Sequence, residues 1–225
     1  MKDIMIRSFN RIALLEDKWD HNQQYSKLVL KEIKSGIERA LDIGCGTGEF
    51  TKKIAMMTKE VIGIDIADQM ILEAKKRHQS ENIRYILQDF DAMDEKEHFD
   101  CIVSIAAFHH LSLDTALPKI KRMLNTDGVL IVLDLYKRRG ILDLILDIIA
   151  VPLNILIRKV NRSGKMSREE IEAWKEHCKI DKYMTIKELK QTYYKYLDKS
   201  VKIRRLIFWR YFALYKKSDD LKNII

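Results

Sequence analysis

The chain of 225 residues has little of what interrupts or cross-links a fold. Two prolines, Pro118 and Pro152, and eight glycines leave no linker, low-complexity tract or internal repeat, so one continuous unit is expected. Cys45, Cys101 and Cys178 are dispersed without a C-x-x-C pair, which argues against a disulfide scaffold. With no signal-like stretch before Asn10, the expected setting is cytoplasmic and reducing. Long apolar runs are also missing: residues 141–157 contain Asp143 and Asp147, too short and too charged a stretch to span a bilayer. Among the six histidines no pair has local zinc-like spacing with a third ligand nearby, so no metal is expected.

Charge is present but uneven. The net charge is +8, yet residues 1–136 hold 19 lysines and arginines against 22 acidic residues, whereas residues 137–225 hold 22 against 11. A basic C-terminal part suits an anionic partner such as a membrane surface, nucleic acid or acidic substrate, or is simply a lysine-rich solvated surface.

The richest stretch is Ala40-Leu41-Asp42-Ile43-Gly44-Cys45-Gly46-Thr47-Gly48-Glu49-Phe50. It reads as a buried strand over 39–43, a glycine turn, and a helix over 47–57 whose first N–H groups favour an anion. The dinucleotide spacing G-x-G-x-x-G fails, because Glu49 or Thr51 stands where the third glycine belongs. A second strand, 61–65, ends in Asp65, 17 residues after Gly48, where a carboxylate can accept two ribose hydroxyls. Helix 70–79 and strand 83–87 follow, then Gln88-Asp89-Phe90-Asp91, strand 99–107, Phe108-His109-His110-Leu111, helix 113–124, the turn Asn125-Thr126-Asp127-Gly128 and strand 129–135. Strands alternating with helices predict a parallel α/β sheet.

The D-x-G-x-G-x-G spacing from Asp42 to Gly48 resembles the first motif of class I S-adenosylmethionine-dependent methyltransferases, and the run to residue 136 continues the resemblance. It implies a Rossmann-like, seven-stranded, mostly parallel sheet flanked by helices. Two runs, 200–207 and 208–215, would supply the final antiparallel strand pair, and a helical cap would be inserted after strand five. The expected organisation is a single domain: an N-terminal helical segment over 1–36, a cofactor core over 37–136, a cap over 137–198 and the closing pair over 199–217. S-adenosyl-L-methionine is the implied cofactor and S-adenosyl-L-homocysteine its product. Asp42, Gly44, Gly46, Asp65, Asp89 and Ala106 are implied cofactor positions, with Asp89 on the adenine amino group and Asp91 its alternative. Phe90 would cover the ring, while Ile66 and Met70 would flank it or be ordinary core. Tyr25, in a helix opened by Trp19, Asp20, His21 and Asn22, would lie near the methionine end or serve in packing.

The acidic-or-Asn, Pro-Pro, aromatic signature of amino-nucleobase methyltransferases is not present, and Cys101 should point into the core. The expected function is methyl transfer to O, N or C of a small or medium organic acceptor. His110 is the candidate base on the substrate side and His177 a second one in the cap. Alternatives are an RNA methyltransferase using the basic part, and a non-catalytic cofactor-binding or membrane-surface scaffold. Residues 141–157 combine a wide apolar face with a narrow stripe of Asp143, Asp147 and Asn154, and Pro152 should kink or restart that helix. Packing of the apolar face over the sheet edge as a substrate cap is the leading expectation. Weak membrane-surface contact through 137–165, flanked by Lys137, Arg138 and Arg139, is the other. Helices over 169–180 and 185–197 should complete the cap, carrying Trp174, His177, Asp181, Tyr183, Tyr193 and Tyr194. Nucleic acid is not the expected partner, and the oligomeric state is left open.

Overall fold

A computed structural model describes residues 2–15, 21–160 and 167–218. Trp19 and Asp20 of the N-terminal polar opening, and residues 161–165 of the membrane-contact segment, lie outside the described residues.

Seven strands form one sheet: β1 (Ile37–Ile43), β2 (Thr58–Asp65), β3 (Ile83–Leu87), β4 (Phe99–Ile105), β5 (Leu124–Leu135), β6 (Lys202–Arg205) and β7 (Arg210–Lys216). Their order is β3-β2-β1-β4-β5-β7-β6. The first five pair in parallel, and β7 runs antiparallel to both β5 and β6. The chain steps outward from β1 to β3 and returns to β4 on the other side of β1. That reversal opens a crevice at the carboxyl ends of β1 and β4, the usual ligand position in such sheets.

Both faces of the sheet are covered, which is why its strands read as nearly continuous apolar runs. Leu41, Ile43, Ile62, Ile64, Ile102 and Val132 meet Leu117 and Ile120 of helix α5 (Leu113–Met123) and Leu189 and Tyr193 of α8 (Ile186–Leu197). Ala40, Val61, Cys101, Val103 and Ile131 face the other way, onto Val29 of α2 (Ser26–Leu30) and Ile54 of α3 (Glu49–Ala55). Each fully buried Leu or Ile contributes about 1.5–3 kcal/mol, so this two-sided core is the main stabilising term. The turn expected at 125–128 sits inside β5 as an irregularity, with the register slipping between Phe99 and Cys101. Asp127 there adopts φ +62°.

The N-terminal segment is not one helix. It holds α1 (Lys2–Ala13), a 3₁₀ turn over His21–Tyr25 and the short α2, after which Gly36, at φ +78°, redirects the chain into β1. The final strands are shorter than the runs that predict them, because Phe208 and Trp209 both take positive φ to make the turn.

The expected cap divides. α8 lies on the sheet beside α5, and α7 (Arg168–Cys178) packs on α1. α6 (Ile141–Val160) runs on through Pro152 without restarting, and it docks by the face opposite to the expected one. Asp143 is buried, accepting hydrogen bonds from Tyr136 Oη at 2.8 Å and the Arg139 N–H at 2.7 Å. Asp147 accepts from Trp209 Nε1 at 2.7 Å and pairs with Arg138. Ile141, Leu142, Leu144 and Ile148 are left 61–78% exposed. The exit of β5 presents N–H and O–H donors, and a carboxylate turned away from them into an apolar contact costs more than an exposed leucine.

Candidate active site

The glycine turn is fixed from beneath. The N–H groups of Gly44 and Cys45 both donate to the Ile64 carbonyl at 2.9 Å, tying the end of β1 to β2. Gly44, at φ +72°, admits no side chain: an added Cβ would lie 2.3 Å from the Ala107 Cβ. Ala106, at φ +53°, bends the exit of β4 so that Ala107 leans on the turn. Asp42 is buried beneath it and accepts from Thr51 Oγ1 at 2.6 Å. Burial first, then nearby Asp65, push its carboxyl up to about 7. Asp65 closes the loop, accepting from the Gly46 N–H at 3.0 Å and the Ala67 N–H at 2.9 Å.

The upper surface of this turn suits a nucleoside. An added Cβ on Gly46 would find Met70 Sδ nearest, at 3.9 Å, so that face is bare. Beside it lies a cavity of about 150 Å³ lined by Lys2, Ile6, Ile66, Leu87, Gln88 and Asp89. Asp65 keeps unused lone pairs toward the turn, since each carboxylate oxygen can accept more than one hydrogen bond. Acidic strand tips, a bare glycine and an apolar slot are what a ribose and an adenine require. Asp89 caps its own 3₁₀ turn and pairs with Lys2 Nζ at 2.6 Å, as Asp91 does at 2.8 Å. Lys119 holds that loop from below, its ammonium donating to the carbonyls of Phe90, Asp91 and Met93.

α1 forms a wall over both this slot and its neighbour. Asn10 bonds Asp68 and the Gln69 N–H at the start of α4 (Asp68–His78), and Phe9 and Ile12 pack on Ala67 and Met70. Its other side meets α7, where Arg11 pairs with Glu176 and Ser8 Oγ lies 3.2 Å from His177 Nδ1. Phe9 sits against the rings of His110 and His177, at centroid distances of 5.5 and 4.4 Å.

His109 and His110 occupy a 3₁₀ turn at the exit of β4, and His177 comes to them from the last turn of α7. The Nε2 atoms of His109, His110 and His177 lie 3.8, 3.9 and 3.4 Å from one oxygen, Asp181 Oδ1. Burial and then the His109 charge push His110 down to about 4, and burial also lowers His177. Burial opposes charge on His109 too, but Asp134 at 2.7 Å and Asp181 outweigh it and raise that ring to about 9. The sequence shows no histidine pair with local zinc-like spacing, yet in the fold His109, His110, His177 and Asp181 bring their donor atoms within 4.8 Å of one another. Four donors from two distant segments meet in space, a grouping that no local spacing records.

Of the expected cofactor positions, Asp42, Gly44, Gly46, Asp65, Ile66, Met70, Asp89 and Ala106 surround the turn and slot. Phe90 does not: it is 2% exposed, in the core, with Lys119 over its ring. Tyr25 packs under the sheet and donates to the Ile207 carbonyl, toward the β6–β7 turn. Lys2, Ser8, His109, Asp134 and Asp181 were not among the expected site residues. Asp134, an acid ending an otherwise apolar strand, is the one whose sequence position carried a signal.

Residues 40–128 match the family model described as "Methyltransferase domain". The chain is 29% identical over 139 residues to malonyl-[acyl-carrier protein] O-methyltransferase of Bacillus cytotoxicus, and 30% over 139 residues to that of Bacillus cereus. Each match covers 58% of this chain and 49% and 52% of those proteins, so the chain spans about half the length of these relatives. In fold it is similar to N-methyltransferase NodS from Bradyrhizobium japonicum in complex with S-adenosyl-L-homocysteine, with a TM-score of 0.65 and 16% identity over 96% of this chain and 99% of that one. The glycine turn thus lies inside the segment that is similar to the methyltransferase domain family, and the whole sheet has the fold of the N-methyltransferase structure.

Proposed function

We propose that this protein transfers a methyl group from S-adenosyl-L-methionine to O, N or C of a small or medium organic acceptor. The observation that carries the reading is the bare face of Gly46, held by Asp65, together with the nearby cavity lined by Ile66, Leu87 and Asp89. Asp65 would hold the ribose and Asp89 the adenine edge. The cofactor supplies an activated methyl on a sulfonium, which needs no metal or base for its own departure. What remains for the chain is alignment and exclusion of water, for which α1, which lines the cavity through Lys2 and Ile6, is the wall at hand. His110 and His177, the histidines expected as bases, stand together where β4 meets the cap, with ring centroids 5.3 Å apart. The relatives named malonyl-[acyl-carrier protein] O-methyltransferase support methyl transfer to an organic acceptor. Isothermal titration calorimetry tests the reading: S-adenosyl-L-methionine and S-adenosyl-L-homocysteine should bind and NADH should not. Binding of NADH with no response to either sulfur compound would overturn it.

One observation favours a second property, weak association with an anionic membrane surface. α6 turns its polar stripe inward and leaves a row of leucines and isoleucines outward, with exposed Lys137, Arg138 and Arg139 beside it. Among the described residues no helix is long and apolar enough to cross a membrane, so the contact would be peripheral.

A further inference from the structure

Where β4 meets the cap, polar atoms are buried with nothing to bond. Among the described residues, His109 Nε2, His110 Nε2 and Asp181 Oδ1 are enclosed and lack a hydrogen-bond partner. Their side chains are 6%, 9% and 2% exposed, and that of His177 is 6%. An orphaned buried polar atom costs about 1–3 kcal/mol, and nine in ten such atoms are satisfied. Three at one point, all aimed inward, need a shared partner.

We propose that His109, His110, His177 and Asp181 form a binding site for one divalent transition-metal ion, zinc in the first place. The four donor atoms all lie within 4.8 Å of one another. Donors of a tetrahedral zinc ion, with bonds of about 2.0–2.1 Å, stand roughly 3.3 Å apart. The separations of 3.4–3.9 Å from Asp181 Oδ1 are close to that. Three imidazoles and one carboxylate are a borderline-soft set, unlike the all-oxygen shells of calcium and magnesium.

The outer atoms of three of these four ligands are already engaged, the arrangement that orients metal ligands. Asp134 Oδ1 takes His109 Nδ1 at 2.7 Å, Ser8 Oγ lies beside His177 Nδ1, and Tyr183 donates to Asp181 Oδ2. Those contacts leave the three Nε2 atoms and Oδ1 directed at the common point. Four protein donors leave no open position, which is the pattern of a structural site. The ion would clasp the exit of β4 to the end of α7 and so hold the cap against the cofactor sheet.

The test reads metal, not methylation, so its outcome is separate from that of the transfer reading. Full-length protein, stripped with chelator and dialysed against zinc chloride, should retain one zinc per chain by mass spectrometry. Cobalt(II) chloride should give the strong visible bands of a four-coordinate ion. Asp181→Asn, which preserves shape, and His177→Ala should each weaken zinc binding at least 100-fold. His98→Ala, an exposed histidine outside the cluster, should bind zinc like the parent. Parent protein with native circular dichroism that takes up neither ion would overturn the proposal. Parent-like zinc affinity in both Asp181→Asn and His177→Ala would do the same.

Discussion

Asp65 has one observed role and one proposed, because its carboxylate ties Gly46 to Ala67 at the tip of β2 and is the proposed ribose acceptor. Asp65→Ala should weaken S-adenosyl-L-methionine binding by roughly 1.5–3 kcal/mol, the scale of a charge-assisted hydrogen bond. It should also lower unfolding stability by about 1–3 kcal/mol, since two backbone amides lose their acceptor. Calorimetry and urea denaturation measure the two effects, and parent-like affinity in a folded variant would remove the ribose role. Asp42 gives a pH signature. Its carboxyl titrates near 7 in the folded protein, against 3.8 when unconstrained. Between those values the folded state holds the extra proton, so this group makes stability fall as pH rises, by at most about 1.4 kcal/mol per pH unit. Asp42→Asn should flatten the stability profile between pH 4 and 7 in denaturant titrations. These two aspartates were legible in the sequence because strand, turn and strand set their spacing locally. Asp181 was not, because its partners His109 and His110 lie in another segment, and only the packing of α7 on α1 brings them together.

At the scale of elements, α6 shows how a correct pattern can be docked the wrong way round. Its apolar width and polar stripe are both visible in the sequence, but which face turns inward depends on donors from Tyr136, Arg139 and Trp209 that no periodicity reveals. Leu144 and Ile148, on the apolar face expected to dock, are therefore surface residues. Replacing both with Asp should change unfolding stability by no more than about 0.5 kcal/mol each. The same change should abolish co-sedimentation with phosphatidylglycerol vesicles, and added salt should weaken the parent's binding. A parent protein that ignores such vesicles would exclude the membrane role. Asp143→Ala, by contrast, should loosen the helix by leaving Tyr136 and the Arg139 N–H without their acceptor.

Across the whole molecule, the sheet was readable to its last antiparallel pair, since buried parallel strands announce themselves as apolar runs closed by turns. The arrangement of the helices above the sheet was not, because it rests on contacts between segments far apart in the chain. α1 is the clearest case. Lys2 and Ile6 line the slot beside Asp89, while Ser8 and Phe9 back the imidazoles of His177 and His110. A single rigid wall shared by two pockets makes their occupancies thermodynamically reciprocal. If zinc alters cofactor affinity by some factor, the cofactor must alter zinc affinity by the same factor. Calorimetric titrations run in both orders should return equal ratios, and Phe9→Ala should draw both toward one. With such coupling, a cell's metal supply would set how tightly this protein holds the proposed methyl donor.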